Sequence, residues 1–270
     1  MIQGWKKVEL FGKLHVDVFN QQKYLLNNVD LKVTLNLEKP EFYILENGDK
    51  NESHVKIHEA NLYINHLTIN NNILMAHHNV LQSKNAIYPY KRVEIKTFTL
   101  HPGNHSLTLD NVILGQLPNF LIFGMVSNKA YTGDRKENPY NFQHFNLQRF
   151  NLVVNGVQFP AQPIEFNYNN GGILSTRGYQ TLFKGTGIHH FDKGHQITKE
   201  LFDSGYFLLA FDLTPDHNNN SNCGNLINQG TIRIEGRFGK PILEAITCLV
   251  YCEFDSIIEI DKSRNIIQTL

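Results

Sequence analysis

Short runs of β-branched and aromatic residues recur along nearly the whole chain, each bounded by Asn, Gly, Pro or Asp, and this spacing predicts antiparallel β architecture. The predicted strands are Val8–Phe19, Val29–Leu37, Phe42–Leu45, Val55–Ile69, Arg92–Leu100, Leu121–Val126, Phe145–Val154, Tyr206–Leu213, Thr231–Phe238 and Ala245–Ile260. So many strands exceed one small sandwich. Alternation is cleanest in Val93-Glu94-Ile95-Lys96-Thr97-Phe98 and Ile232-Arg233-Ile234-Glu235, apolar on one side and charged on the other. Each such strand is expected to cover a core with one face. Val29, Leu31, Val33 and Leu35 form a further core-facing row by the same rule.

Two segments break the period of two. In Ile73–Gln82, after Asn70-Asn71-Asn72, the apolar positions Ile73, Leu74, Val80 and Leu81 recur near helical spacing, predicting a short helix that connects two β units. Thr198–Asp203 opens with an N-cap residue and closes before Gly205, predicting one or two helical turns. No repeat period is visible, and polar stretches such as Asp216–Asn222 read as loops.

Composition narrows the picture. The 270 residues carry 25 basic and 25 acidic side chains, with 41% hydrophobic and 19% charged positions, which is globular rather than disordered. A net charge of zero gives no broad electropositive face, so binding to nucleic acid or anionic membranes driven by charge is not expected. Met1–Lys7 runs into polar-interrupted sequence without a signal-peptide core, and the apolar runs at Phe120–Val126 and Phe207–Phe211 are too short to span a bilayer as helices. The expectation is a soluble, unsecreted protein. Cys223, Cys248 and Cys252 make an odd count without framework spacing, which suits a reducing compartment. Sequons beginning at Asn51, Asn104 and Asn219 are what an Asn-rich chain produces by chance.

Candidate chemistry yields bland readings. Thirteen histidines raise the question of a metal, but no His-x-His occurs, and His-x-His is the pattern that places two ligands on one face of a strand. His77-His78 and His189-His190 are adjacent pairs that diverge, and His54 and His58 stand about 13 Å apart if extended. The same separation keeps Cys248 and Cys252 from a shared disulfide or zinc, so both read as small buried residues. Glu253, Asp255, Glu259 and Asp261 alternate with Phe254, Ile258 and Ile260 as a solvated strand face rather than an acid/base pair. Gly185-Thr186-Gly187 lacks the strand-to-helix context of a phosphate loop and reads as a turn, and no nucleophile elbow is present. No catalytic, cofactor-binding or metal residue is assigned.

A dispersed, ordered set of stretches resembles the major capsid protein of Polinton/Maverick elements and the related adintoviruses, a double jelly-roll protein similar in fold to adenovirus hexon. The set begins with Leu14-His15-Val16-Asp17-Val18-Phe19, 24–32 (YLLNNVDLK) and 88–94 (YPYKRVE). It continues through Gly115-Gln116-Leu117-Pro118, Asn138-Pro139-Tyr140-Asn141-Phe142, Tyr179-Gln180-Thr181-Leu182-Phe183 and 210–216 (AFDLTPD), and ends with Glu253-Phe254-Asp255 and Ile258-Glu259-Ile260-Asp261.

The resemblance implies an all-β fold in which residues 1–70 are the closing strands of a first, incomplete jelly roll, 71–85 a helical connector and 86–270 a complete second jelly roll. It also implies that the amino-terminal strands of the first barrel are absent, as in a truncated gene model, an endogenous viral element or a subunit completed from elsewhere. The role implied is structural and non-enzymatic, in an icosahedral virion and without cofactors. The partners implied are copies of the same chain in a homotrimer, neighbouring capsomers, and penton or minor capsid proteins, with no sequence-specific nucleic acid; the chain would be made in the host cytoplasm or nucleus. Long connections at Lys129–Asn141 and Asn167–Asp203 would vary as contact loops on a rigid scaffold. The rivals are a host-encoded jelly-roll binding protein, such as a carbohydrate binder with an exposed aromatic or acidic-amide pocket, and a cupin-like metalloenzyme, which needs converging His and acid ligands.

Overall fold

The computed structural model describes residues 7–21, 23–46, 53–169, 172–173, 176–189, 192–215 and 226–269. Cys223, His190, the sequons beginning at Asn51 and Asn219 and the polar loop 216–222 lie outside them. The described chain forms two compact units: residues 1–31, 69–92 and 256–270 make one, and residues 32–68 and 93–255 the other.

Before the first strand come a 3-10 turn at Asp17–Phe19 and two helices, α1 (Pro40–Tyr43) and α2 (Asn71–Ser83). Strands β1 (Ala86–Leu100), β2 (Ser106–Gln116) and β3 (Phe120–Ser127) follow, then α3 (Asn128–Thr132), β4 (Leu147–Val154) and β5 (Val157–Glu165). A small hairpin, β6 (Tyr168–Asn169) and β7 (Gly172–Ile173), precedes α4 (Thr176–Gly185) and α5 (Lys199–Asp203). The chain closes through β8 (Leu208–Asp212), β9 (Gln229–Phe238), β10 (Ile246–Ile260) and β11 (Ile266–Thr269).

One sheet has the order β1-β10-β3-β8, with β11 added to β10, and the other has the order β2-β9-β4-β5. The pairs are nested: first strand with last long strand, second with the one before it, inward to the β4–β5 hairpin. A long antiparallel ribbon folded over into two sheets produces this order, and it is the jelly roll. The fold is therefore an all-β jelly-roll sandwich whose eight principal strands lie within residues 86–260.

Its core comes from the inward rows of both sheets. Leu121, Phe123 and Met125 of β3 and Cys248, Val250 and Cys252 of β10 are fully buried, as are Leu147, Phe150 and Leu152 of β4 and Ile232 and Ile234 of β9. Phe150 joins the layers, with its ring centroid 4.8 Å from that of Phe123 and 5.7 Å from that of Phe211. Ring pairs of this kind add to the area they bury.

Both expected helices form, although among the described residues no strand precedes the first of them. Asn70 caps α2 by accepting the Asn72 N–H at 3.0 Å, and Thr198 caps α5 by accepting the Leu201 N–H at 3.3 Å. Three expectations need correction. Val8–Phe19, Val29–Leu37, Phe42–Leu45 and Val55–Ile69 form no strand among the described residues; they are chain without regular secondary structure, a 3-10 turn and α1. A strand requires a ladder partner as well as a pattern, and these segments have none there. In β1 the alternation runs opposite to the expected sense. Leu100 is buried and Phe98 packs on the core, while Val93 and Ile95 are 46% and 60% exposed. The histidines His77 and His78 sit on α2, not on a strand, and His78 Nε2 lies 3.2 Å from Gln82 Nε2. The sequence pattern also leaves out two of the principal strands, β2 and β5, and the short β6, β7 and β11. Pro160 and Pro163 obscure β5, and Asn111 with a positive φ of 50° marks the register shift in β2.

Candidate functional site

The residues that invite chemistry are kept apart. Cys248 and Cys252 both point from β10 into the core, and burial pushes each thiol up to about 12. Buried thiols of that kind are inert. Glu253 accepts from the Tyr251 hydroxyl at 2.8 Å, Glu259 accepts from Asn85 Nδ2 at 2.8 Å, and Asp261 caps the β10–β11 turn through Ser263 and Asn265. These three carboxylates thus have separate structural partners. Gly185-Thr186-Gly187 ends α4, with Gly187 at φ +71°. Carbonyls rather than N–H groups face outward at that end of a helix, which is the wrong polarity for phosphate. His54 and His58 lie on chain without regular secondary structure, and among the described residues no group of three His, Cys, Asp or Glu is placed to hold a metal ion.

What the structure does build is a set of guarded and unguarded strand surfaces. The β8 and β5 edges both meet α4. Thr181 Oγ1 accepts the Ala210 N–H at 3.3 Å, and a Cβ on Gly185 would stand 2.6 Å from the Ala210 backbone, so only glycine lets the helix lie this close. Arg177 donates to the carbonyls of Pro163 and Gln162, both at 3.2 Å, and prolines remove two further β5 donors. Edges blocked by helix, charge and proline do not accept another strand.

In the unit that contains residues 69–92, residues 17–24 meet β1 through isolated hydrogen bonds rather than as a further strand. The Lys91 N–H donates to Asp17 Oδ2 at 2.8 Å, the Tyr88 hydroxyl to the Tyr24 carbonyl at 3.1 Å and Lys23 Nζ to the Ile87 carbonyl at 3.1 Å.

In the other unit, one point of the 32–68 segment is anchored firmly. Arg135, only 8% exposed, donates through Nη1 to Glu46 Oε2 at 2.9 Å and to the Ser53 carbonyl at 3.1 Å, with Glu41 Oε1 3.8 Å from Nη2. Phe42 meets Tyr140 edge-on at 5.8 Å. The hydrogen bonds from Ser53 and Arg135 hold the Glu46 carboxyl below its usual range.

Away from this clasp the segment offers apolar side chains without cover. Val33, Leu35 and Leu37 are 40%, 64% and 61% exposed, and Val55, Ile57, Leu62, Ile64 and Leu67 are exposed as well. Leu31, just before the segment, continues the row and is 51% exposed. Uncovered apolar rows on this scale mark association surfaces. Sequence reasoning found the 29–35 row through its alternation. It missed the Arg135 clasp, because a lone Arg in a polar loop carries no spacing signal.

No family model matches the chain. An uncharacterized protein of Caenorhabditis elegans is 24% identical over 269 residues, which cover 97% of this chain and 63% of that protein. The chain therefore spans less than two thirds of the length of this relative. Among solved structures, the Sputnik virophage gives a TM-score of 0.45 at 14% identity, covering 69% of this chain and 39% of the other. The PBCV-1 capsid gives 0.43 at 6% identity, covering 73% and 54%, and the mavirus major capsid protein 0.38 at 9%, covering 69% and 42%. No helix among the described residues is long and apolar enough to cross a membrane.

Proposed function

We propose that the chain is a structural subunit of an icosahedral viral capsid of the Polinton/Maverick and adintovirus type, located in the virion or encoded by an endogenous copy, and that it is not an enzyme. The observation that carries this reading is the nested strand order of the two sheets. A jelly roll is a rigid two-sheet wedge whose loops can change without disturbing the core, and viral capsids use it for that reason. The dispersed sequence resemblance supplies the type.

In this reading residues 1–70 are the closing strands of a first jelly roll, 71–85 the connector and 86–270 the second jelly roll. The exposed row of Leu31, Val33, Leu35 and Leu37 supports it: these residues have the pattern of a core-facing strand and lie uncovered. Strands of that kind fold when a sheet is offered to them. The subunit self-associates as a trimeric capsomer, and its lateral contacts come from the loops of the second jelly roll, then from neighbouring capsomers and penton or minor proteins.

Cross-linking of the purified full chain, with the links mapped by mass spectrometry, tests this. Links between copies are expected to concentrate at Lys129 and Lys136 in the β3–β4 connection and at Lys184 and Lys199 in the β5–β8 connection. Links confined within single chains would overturn it.

A further inference from the structure

An open cleft of about 530 Å³ lies where the start of β4, the residues after β5 and the β9–β10 turn meet. Its floor is aromatic. Phe166 is buried and meets Phe207 edge-on at 5.2 Å, and the His144 ring stacks on Tyr168 at 4.7 Å with the planes 28° apart. Tyr168 is fixed by donating its hydroxyl to the Leu147 carbonyl, and His144 Nδ1 accepts the Asn146 N–H at 2.9 Å.

The rim is polar and unspent. Asn146, Gln148, Asn167 and Lys240 line it, and among the described residues none of these four side chains has an intramolecular hydrogen bond or ion-pair partner. The ends of two of them lie over Gly239, where a Cβ would stand 2.5 Å from Gln148 Nε2 and 2.9 Å from Asn146 Nδ2. Phe145 and Asn146 hold positive φ values of 44° and 58°, and consecutive left-handed residues without glycine are kept only where the surroundings enforce them.

Among the described residues no carboxylate lines the cleft. Asp203, whose charge acts on His144 and Tyr168, is not one of its lining residues. The described lining thus offers an aromatic floor, three carboxamides that can each donate and accept, and one cation, Lys240, without a counter-charge among the described residues. Carboxamides match vicinal hydroxyls, an aromatic face matches the C–H face of a six-membered ring, and a lysine matches a carboxylate. From this combination we infer that the cleft is a binding site for an acidic sugar, a pyranose that bears a carboxylate. This inference stands on the second jelly roll alone and holds or fails independently of the assembly reading.

Saturation-transfer NMR and calorimetry on the full chain, with N-acetylneuraminic acid, glucuronate, glucose and inorganic phosphate as probes, test it. The two acidic sugars are expected to bind and glucose to bind at least about tenfold more weakly, the worth of one charge-assisted hydrogen bond. Lys240→Gln should lower acidic-sugar affinity by about tenfold without changing that for glucose. Asn167→Ala, an exposed position, should weaken both sugars while leaving the circular dichroism spectrum unchanged. Equal binding of glucose and glucuronate, unchanged affinity in Lys240→Gln, or phosphate binding as tightly as the sugars would overturn the assignment.

Discussion

Arg135 Nη1 donates to Glu46 Oε2 at 2.9 Å, joining a loop that follows α3 to the chain that follows α1. The arginine is buried and also holds the Ser53 carbonyl, so both ends of the 46–53 stretch are tied to one guanidinium. Replacing it removes both ties at once. Arg135→Ala is expected to increase hydrogen exchange and protease cleavage across residues 40–46 while leaving β3 and β4 protected. Unchanged protection of that stretch would refute the role given to the clasp.

The same contact has a pH signature. Glu46 has its carboxyl lowered in the folded chain by hydrogen bonds from Ser53 and Arg135. A lowered carboxyl contributes stability that is present above its unfolded value, about 4.5 for glutamate, and lost as pH falls through the folded one. Exchange at 40–46 should therefore rise on acidification below that value in the wild type. In Arg135→Ala it should be higher throughout and less steep, since the Ser53 hydroxyl still donates to Glu46 Oε1 at 2.7 Å, and a wild-type profile without pH dependence would contradict the assignment.

Phe150 is the point where the sheets interlock, fully buried between Phe123 and Phe211. Phe150→Ala should cost about 3–5 kcal/mol, as large-to-small changes of buried aromatics do. Phe159→Leu on β5, whose ring packs against the core from a partly buried position, should cost clearly less. Chemical denaturation measures both, and equal losses would show that the inter-sheet contact is not central.

Cys248 and Cys252 should resist alkylation in the native chain at neutral pH and become reactive on denaturation, since burial pushes both thiols up to about 12. Mass spectrometric mapping of iodoacetamide adducts reads each site. Native modification of either would mean that β10 opens.

How much of this was legible in the sequence depends on where each residue finds its partner. Ile232 and Ile234 alternate with Arg233 and Glu235 and do face the core, because β9 is central in its sheet and has one wet side. Val93 and Ile95 alternate as cleanly yet point outward. The period of a strand specifies two faces, and only neighbours decide which one is inside. Residues 29–37 show the same limit, with a strand pattern and no ladder among the described residues. The capping residues Asn70 and Thr198 were readable because a helix end is local chemistry. The cleft was not, since His144, Gln148, Asn167 and Lys240 converge only after β4 and β9 have paired.

Whether the chain assembles is read by sedimentation velocity of the purified full chain across a concentration series. The uncovered row at Leu31, Val33, Leu35 and Leu37, together with the proposed capsomer role, predicts a trimer or larger species that persists on dilution. Charging the row with the double substitution Val33→Asp and Leu35→Asp should reduce higher association while circular dichroism keeps its β signal. A single monomeric boundary for the wild type at every concentration would contradict the assembly reading.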